Sequence, residues 1–153
     1  MMSNLPELPP ETVQERFSAA LHGTARIWRL VLDKHLKHLG IGQSGWMTIA
    51  MVAKSHEPLS QRALADLVGV EGPSLVSMLD RLERDGFVVR APSPHDRRVK
   101  LVQLTDAGRA VYEEVRRQGT AVRASLLTDV DTAALAAATE LLEALRARIE
   151  GAL

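Results

Sequence analysis

The chain of 153 residues is long enough for one well-buried domain, or for a small domain carried by long helices. It contains no cysteine, which excludes disulfides, thiol nucleophiles and thiol-based redox sensing, and it has no apolar run near the roughly 20 residues of a membrane helix, so no membrane partner is expected. Its 19 basic and 19 acidic side chains cancel, so the total charge does not indicate a nucleic-acid partner, although residues 84–100 hold five basic and two acidic side chains.

The first predicted element is a long helix that follows a proline-rich leader ending at Pro10. The leader, MMSNLPELPPE, lacks the basic and apolar regions of a secretory signal, so we expect a cytoplasmic protein. A stripe of apolar or small residues then recurs at helical spacing up to Gly40 and Gly42, which predicts a helix of roughly 25 residues. A second helix is predicted from Ser44, as its N-cap, to near Ser55.

Residues 59–90, LSQRALADLVGVEGPSLVSMLDRLERDGFVVR, predict two short helices joined by a glycine turn. Ser60 is a suitable N-cap for the first helix, and Gly69 permits its tight exit. Pro73 falls in the first turn of the second helix, where a missing amide costs little. The buried faces are expected to be Ala63, Leu64 and Leu67 in the first helix, and Leu75, Met78, Leu79 and Leu82 in the second. The pattern is typical of a helix-turn-helix, although an ordinary helical hairpin has the same spacing.

The next segment predicts a β-hairpin. Residues 87–89 are β-prone, residues 91–94 (APSP) predict a turn, and residues 99–104 (VKLVQL) alternate, with Val99 and Leu101 on one face. A helix-turn-helix followed by a hairpin is a winged helix. Its tip carries DRR at residues 96–98, and arginine at a wing tip suits the minor groove of double-stranded DNA, although an isolated exposed Asp/Arg pair has no such meaning.

The C-terminal third predicts two further helices. Thr105 is a suitable cap for the first, and the second carries a heptad-like seam of Leu135, Ala138, Leu142, Leu145, Ile149 and Ala152. Such a seam needs a partner. We expect the two ends of the chain to pack together and against a second copy, as a homodimer, while a bundle within a monomer is the alternative.

The order of these elements, the phrase spanning residues 60–90 and the phrase DRRVKLVQLTDAG together resemble the MarR family of winged-helix transcriptional regulators. RIWRLVLDKHL and QSGW are most similar to its SlyA-type branch. The resemblance implies a mainly α fold with a small β-hairpin, in which a winged helix-turn-helix at residues 43–104 is flanked by dimerisation regions at 1–42 and 105–153. It also implies a regulator, expected to be a repressor, that binds a pseudo-palindromic operator.

By this resemblance, the second helix of the motif enters the major groove, with Pro73, Ser74 and Ser77 at bases or phosphates. Ser60 and Gln61 would then lie on the DNA backbone. SlyA-type sequences tend to have arginine at the position of Ser77, and arginine reads guanine with two hydrogen bonds, so a different sequence preference is expected.

The same resemblance assigns three roles at the wing. Arg98 would enter the minor groove, Asp96 would orient Arg98, and Arg97 would contact a phosphate. The carboxylate of Asp96 could hold the Arg98 guanidinium extended through a charge-assisted bond.

Many relatives are released from DNA by small aromatic carboxylates. By resemblance the ligand site would include Arg26, Arg29, Ser44 and Trp46, since guanidinium binds carboxylate and indole stacks on a ring. The alternative is that Trp28 and Trp46 fill the core and Arg29 makes a structural ion pair.

Two other classes of function fit the residues less well. His35 and His38, spaced i and i+3, could belong to a metal sensor, but no carboxylate partner is evident beside them. A helical protein-interaction module would explain the seam but not the wing. A nucleophile elbow, a glycine-rich phosphate loop and a paired acidic motif are all absent from the sequence, so we expect neither an enzyme nor a cofactor.

Overall fold

The computed structural model describes residues 11–153, so the leader up to Pro10 lies outside the described residues. The described chain is mainly helical with one small antiparallel sheet, which confirms the predicted fold class. It forms two compact units, the first ending at Gln118 and the second running from Gly119 to Leu153. The elements are α1 (Val13–Leu36), a 3-10 turn (Lys37–Leu39), α2 (Gly42–Lys54), β1 (Leu59–Ser60), α3 (Gln61–Val68), α4 (Gly72–Arg84), β2 (Val88–Pro92), β3 (Lys100–Leu104), α5 (Asp106–Leu127) and α6 (Thr132–Glu150).

Helix α1 begins with a capping box and has 24 residues, close to the predicted length. The Thr12 hydroxyl accepts from the Glu15 amide, and the Glu15 carboxylate accepts from the Thr12 amide. The prediction of Ser44 as the cap of α2 is wrong. Gly42, at φ 67°, already turns the chain into the helix, so Ser44 lies within the first turn and Ile41 occupies the cap position.

The core of the first unit lies where α2, α3 and α4 meet the sheet. The inward face predicted for α4 is confirmed, since its four apolar residues are all buried. The prediction for α3 is partly wrong, because Leu67 is 54% exposed while Ala65 is buried beside Leu64. The eight-residue helix packs along Leu64, Ala65 and the half-buried Val68, which turns Leu67 outward.

The sheet has the strand order β1–β3–β2, with both pairings antiparallel. Strand β1 was not predicted, because two residues carry no periodic signal. Its Ser60 pairs with Leu101 and also caps α3, where its hydroxyl accepts from the Ala63 amide at 3.1 Å. The start of α3 is therefore attached directly to the wing.

The predicted hairpin is confirmed, but the predicted position of its turn is wrong. Residues 91–92 continue β2 rather than turning, and Pro92 pairs with Lys100 at the end of an edge strand, where proline is tolerated. The connection is formed by residues 93–99. Val102 and Leu104 are buried while Val99 is exposed, so the face that carries Val102 and Leu104 turns toward the core. Four of the six residues 99–104 are apolar, so their alternation could not decide which face turns inward.

Residues 104–108 attach the base of the wing to α5. The Thr105 hydroxyl donates to the Gly86 carbonyl at 2.6 Å and accepts from the Gly108 amide at 3.0 Å, which confirms the predicted cap. The Thr105 amide donates to the Phe87 carbonyl at 3.1 Å. A Cβ atom on Gly108 would lie 2.0 Å from that same carbonyl oxygen, so this position needs glycine. Within residues 11–153, no helix is long and apolar enough to cross a membrane.

We expect Gly108→Ala to lower the free energy of unfolding by roughly 1–3 kcal/mol or more, because the added methyl group would collide with backbone rather than with a flexible side chain. Urea unfolding followed by circular dichroism measures the change. Gly23→Ala is the matched control. Gly23 lies within α1 with open space around it, so alanine there should be neutral or stabilising by roughly 0.5–1 kcal/mol. Equal stability of the two variants would contradict the proposed close approach.

Candidate nucleic-acid interface

The outward face of α4 is polar over most of its length. The helical period of the sequence places these polar residues opposite the buried ones. Its buried positions point toward the core, which leaves the opposite side of the helix exposed. All three residues predicted to face DNA from this helix are exposed near its N-terminal end. The exposed positions of α4 are Gly72, Pro73, Ser74, Val76, Ser77, Asp80, Arg81 and Arg84.

The first turn of α3 presents the two residues predicted to lie on the DNA backbone. Ser60 and Gln61 are both half-buried. The Ser60 hydroxyl is used as the helix cap, and the Gln61 amide oxygen accepts from an Arg90 guanidinium nitrogen at 3.4 Å. Both side chains are thus held in defined positions at the start of the helix.

Arg90 connects three elements and was not predicted as a functional residue. From β2, its guanidinium donates to the Glu83 carboxylate at 2.6 Å and to the Asp80 carboxylate at 2.6 Å on α4, and to Gln61 on α3. Its backbone amide also donates to Glu83 at 3.1 Å. The side chain is only 19% exposed. The sequence signal would have been two acids three positions apart on a helix, followed by an arginine in a short β-prone run.

The ion pair between Arg90 and Glu83 shifts the pKa values of both groups. The hydrogen bond from Arg90 lowers the pKa of the Glu83 carboxyl below its usual value, although partial burial opposes the shift. The same hydrogen bond raises the pKa of Arg90. Arg90 therefore stays charged and Glu83 stays ionised at neutral pH.

The wing tip carries the DRR sequence in the exposed connection between β2 and β3. One oxygen of Asp96 accepts from both the backbone amide of Arg98, at 3.0 Å, and its guanidinium Nε, at 3.3 Å. The tip is closed by hydrogen bonds from Ser93 to the Val99 carbonyl and from Val99 to the Asp96 carbonyl. The Arg98 side chain is 93% exposed, and Arg97 is also exposed. The contact expected between Asp96 and Arg98 is thus present.

The residues predicted to bind a small aromatic acid are divided by burial. Arg26 and Arg29 are exposed on α1, and Ser44 is exposed in the first turn of α2. Trp46 is only 6% exposed, belongs to the core, and donates its indole N–H to the Asp33 carboxylate at 3.1 Å. Trp46 is therefore a core residue, as the alternative interpretation predicted.

The two histidines considered for metal binding are exposed, His35 on α1 and His38 in the 3-10 turn. Among residues 11–153, no group of three or more histidine, aspartate or glutamate side chains could hold a metal ion. His38 Nε2 lies 3.3 Å from Glu114 on α5. Hydrogen bonds from Arg117 and Gln118, together with the charges of Arg117 and His38, lower the pKa of Glu114 to about 2.

We expect Glu83→Gln to lower the free energy of unfolding at neutral pH by roughly 1 kcal/mol, a small value because solvent partly screens the pair. A carboxyl whose pKa is lowered by folding contributes stability above its unfolded value, near 4.5, and that stability is lost as the pH falls through the lower folded value. The difference between parent and variant should therefore shrink below pH 4.5.

Denaturant unfolding between neutral and acidic pH measures this difference. Glu113→Gln is the control, because Glu113 pairs with Arg116 one turn away on the exposed side of α5, and loss of this pair should change stability little. A Glu83→Gln deficit that persists unchanged at acidic pH would show that the ion pair is not its source.

Comparison with known proteins supports the same architecture. A sequence model of the MarR family matches residues 39–99, from the end of the 3-10 turn to the wing. The crystal structure of transcriptional regulator PA3341 superposes with a TM-score of 0.81 at 36% identity, covering 88% of this chain and 98% of that chain.

Two more distant structures are similar in fold. CouR from Rhodococcus jostii RHA1, crystallised with p-coumaroyl-CoA, has a TM-score of 0.74 at 20% identity, covering 89% of this chain and 95% of that chain. The transcriptional regulator SlyA has a TM-score of 0.75 at 18% identity, covering 87% of this chain and 93% of that chain, so SlyA is one of several similar structures. With its winged helix-turn-helix and its 36% identity to a transcriptional regulator over nearly its whole length, the chain belongs to the MarR family of transcriptional regulators.

Proposed function

We propose that this protein is a homodimeric transcriptional regulator, acting as a repressor in the cytoplasm, that binds a pseudo-palindromic operator in double-stranded DNA. One observation carries the proposal. The same compact unit contains both a polar outer face on α4 and a wing with arginine at its tip. A helix of this kind fits the major groove, and an exposed arginine at a hairpin tip fits the minor groove. Closeness to the SlyA-type branch, carried by RIWRLVLDKHL and QSGW, remains a prediction.

At each half-site, the first turns of α4 would enter the major groove with Pro73, Ser74 and Ser77. Short hydroxyl side chains form single hydrogen bonds with bases or phosphates, so direct base reading by this helix would be weak. Ser60 and Gln61 would contact the backbone from the start of α3. Specificity would then depend strongly on DNA shape and on the wing.

At the wing, Arg98 would enter the minor groove and Arg97 would neutralise a phosphate. The shared Asp96 oxygen, bonded to the backbone and the side chain of Arg98, limits the conformations of the arginine before DNA arrives. This limits the rotamer entropy lost on binding. Narrow A·T-rich minor grooves have an enhanced negative potential, so they would be the preferred flanking sequence.

Dimerisation is supported by apolar surface on both chain ends. In the first unit, α1 exposes Val13, Phe17, Leu21, Ile27 and Leu30. In the second unit, α6 exposes Leu135, Leu141, Leu142 and Ile149. A second copy of the chain would cover such surface, and the resulting twofold axis would place two recognition helices on a pseudo-palindrome.

We further propose that a small aromatic acid, or its coenzyme A thioester, releases the protein from DNA. Exposed guanidinium groups at Arg26 and Arg29, with the Ser44 hydroxyl, would bind the carboxylate or phosphate groups. Trp46, whose ring is buried, would form a wall of the site rather than a stacking surface. The crystal structure of CouR with p-coumaroyl-CoA provides the precedent for this ligand class in the fold.

The DNA-binding proposal predicts tight, competitor-resistant binding to a duplex from immediately upstream of the protein's own gene, or to one selected from random sequence. We expect Arg98→Ala to weaken that binding by roughly 1–3 kcal/mol, because it removes a minor-groove contact without disturbing the fold. Fluorescence anisotropy at several salt concentrations measures the affinity, and sedimentation velocity should find two chains on each duplex.

Arg109→Ala is the matched control, since Arg109 is an exposed arginine paired with Asp106 on α5, away from the wing tip. Its affinity should equal that of the parent. Unchanged binding of Arg98→Ala would remove the wing from the interface, and failure of the parent to select any sequence would refute the proposed function.

The ligand proposal predicts that salicylate, p-coumarate or p-coumaroyl-CoA lowers operator affinity of the parent by at least roughly fivefold, in the usual range of coupling between sites. The same ligand should have little effect on Arg29→Ala, because the variant loses a guanidinium contact. Anisotropy titrations with increasing ligand measure this response, with Arg109→Ala again as the control. Equal responses of Arg29→Ala and the parent would exclude Arg29 from the site.

A further inference from the structure

We propose that Arg90 is a positioning residue for DNA binding, which holds the Gln61 side chain so that its amide N–H₂ group is free to donate to a backbone phosphate. The inference rests on the proposed DNA-binding function and deepens it. Arg90 is not expected to touch DNA itself, because its guanidinium is only 19% exposed and is engaged by groups of the protein.

The chemistry of the contact sets the direction of the Gln61 amide. A guanidinium group has only donors, so the group that faces Arg90 must be the amide oxygen. The amide nitrogen, on the other branch of the same planar group, then carries two donors on the side away from Arg90, and within residues 11–153 no group accepts from them. A phosphate accepts hydrogen bonds and is a suitable partner for these donors.

The charges around Arg90 indicate that its guanidinium binds carboxylates of the protein rather than a DNA phosphate. Glu83 and Asp80 both lie within 2.6 Å of the same guanidinium nitrogen, so two carboxylates surround one cation. Their hydrogen bonds raise the pKa of Arg90 and so hold it in the charged form. A cation neutralised in this way would add little to the counterion release that phosphate-binding arginines produce.

Strand pairing restricts the backbone of Gln61 before its side chain is considered. Val102 of β3 pairs with Leu59 on one side and with Arg90 on the other. Gln61 follows the β1 residue Ser60, which caps α3 and pairs with Leu101. The remaining freedom of Gln61 is the rotation of its side chain, and the contact with Arg90 restricts that rotation.

The test is a double-mutant cycle of Arg90→Lys and Gln61→Ala, measured by anisotropy on an operator that the parent selects and binds tightly. Lysine keeps the positive charge beside Glu83 and Asp80, but its single ammonium group cannot reproduce the forked contacts to three partners. We expect Arg90→Lys alone to weaken binding by roughly three- to tenfold, the cost of ordering one free side chain, with no change in salt slope.

In the Gln61→Ala background, Arg90→Lys should have no further effect on affinity, because the residue it positions is gone. A loss of the same size in both backgrounds, or no loss in Arg90→Lys alone, would overturn the proposal. A salt slope reduced by about one would overturn it too, since that would show Arg90 contacting a phosphate directly. Arg109→Lys is the control for arginine-to-lysine replacement at an exposed site.

Gln61→Glu provides a second variant, should Arg90→Lys fail to fold. The carboxylate keeps an acceptor for Arg90, so the fold should be retained, but the two donors are lost and an anion faces the phosphate. We expect at least a tenfold loss of affinity, because an anion at this position repels the phosphate. Parent-like binding of Gln61→Glu would overturn the proposal, whereas absence of a selected operator for the parent would refute the proposed function instead.

Discussion

The central position of β3 in the sheet is the constraint on which the DNA-binding unit depends. Val102 on this strand is fully buried and pairs on one side with the residues that lead into α3, and on the other with β2. The start of the helix-turn-helix and the wing therefore share one hydrogen-bonded strand. Thr105, at the end of β3, extends the same connection to the beginning of α5 through the Gly86 and Phe87 backbone. A displacement of β3 would consequently disturb the helix start, the wing and α5 together.

A net charge of zero is compatible with a DNA-binding surface because the charges are arranged locally. On α4, the acids Asp80 and Glu83 are paired with Arg90, which limits their repulsion of phosphate. The arginines of α4 and of the wing tip are exposed at the outer face, where they could attract phosphate. On α5, Arg109, Arg116 and Arg117 pair with acids one turn away, so these three arginines contribute little net potential. Total charge is a poor guide to partners when ion pairs divide a surface in this way.

The second unit differs from the first in that its helix α6 buries none of its residues within the single chain. Helix α6 is capped by Asp131, whose carboxylate accepts from the Ala134 amide at 2.8 Å, and it continues to Glu150. Its seam residues are exposed or half-buried in the single chain. A periodic apolar face with this exposure is typical of a helix whose partner is another chain. The seam was visible in the sequence because its spacing of three and four is a property of one helix alone.

Most features that depend on residues within about four positions of each other could be predicted from the sequence, although the predicted Ser44 cap was wrong. The Ser60 and Thr105 caps, the Pro73 start of α4 and the buried face of that helix are of this kind, and all are confirmed. The resemblance that named the family also depended on such local phrases. The phase of β3, the exposure of Leu67 and the existence of β1 were decided by tertiary packing, because a neighbouring strand or helix selects which of several apolar residues turns inward. The same holds for the Arg90 cluster and for the close approach at Gly108. Both join residues that are distant in the sequence, and only the folded chain brings their atoms within hydrogen-bonding or van der Waals distance.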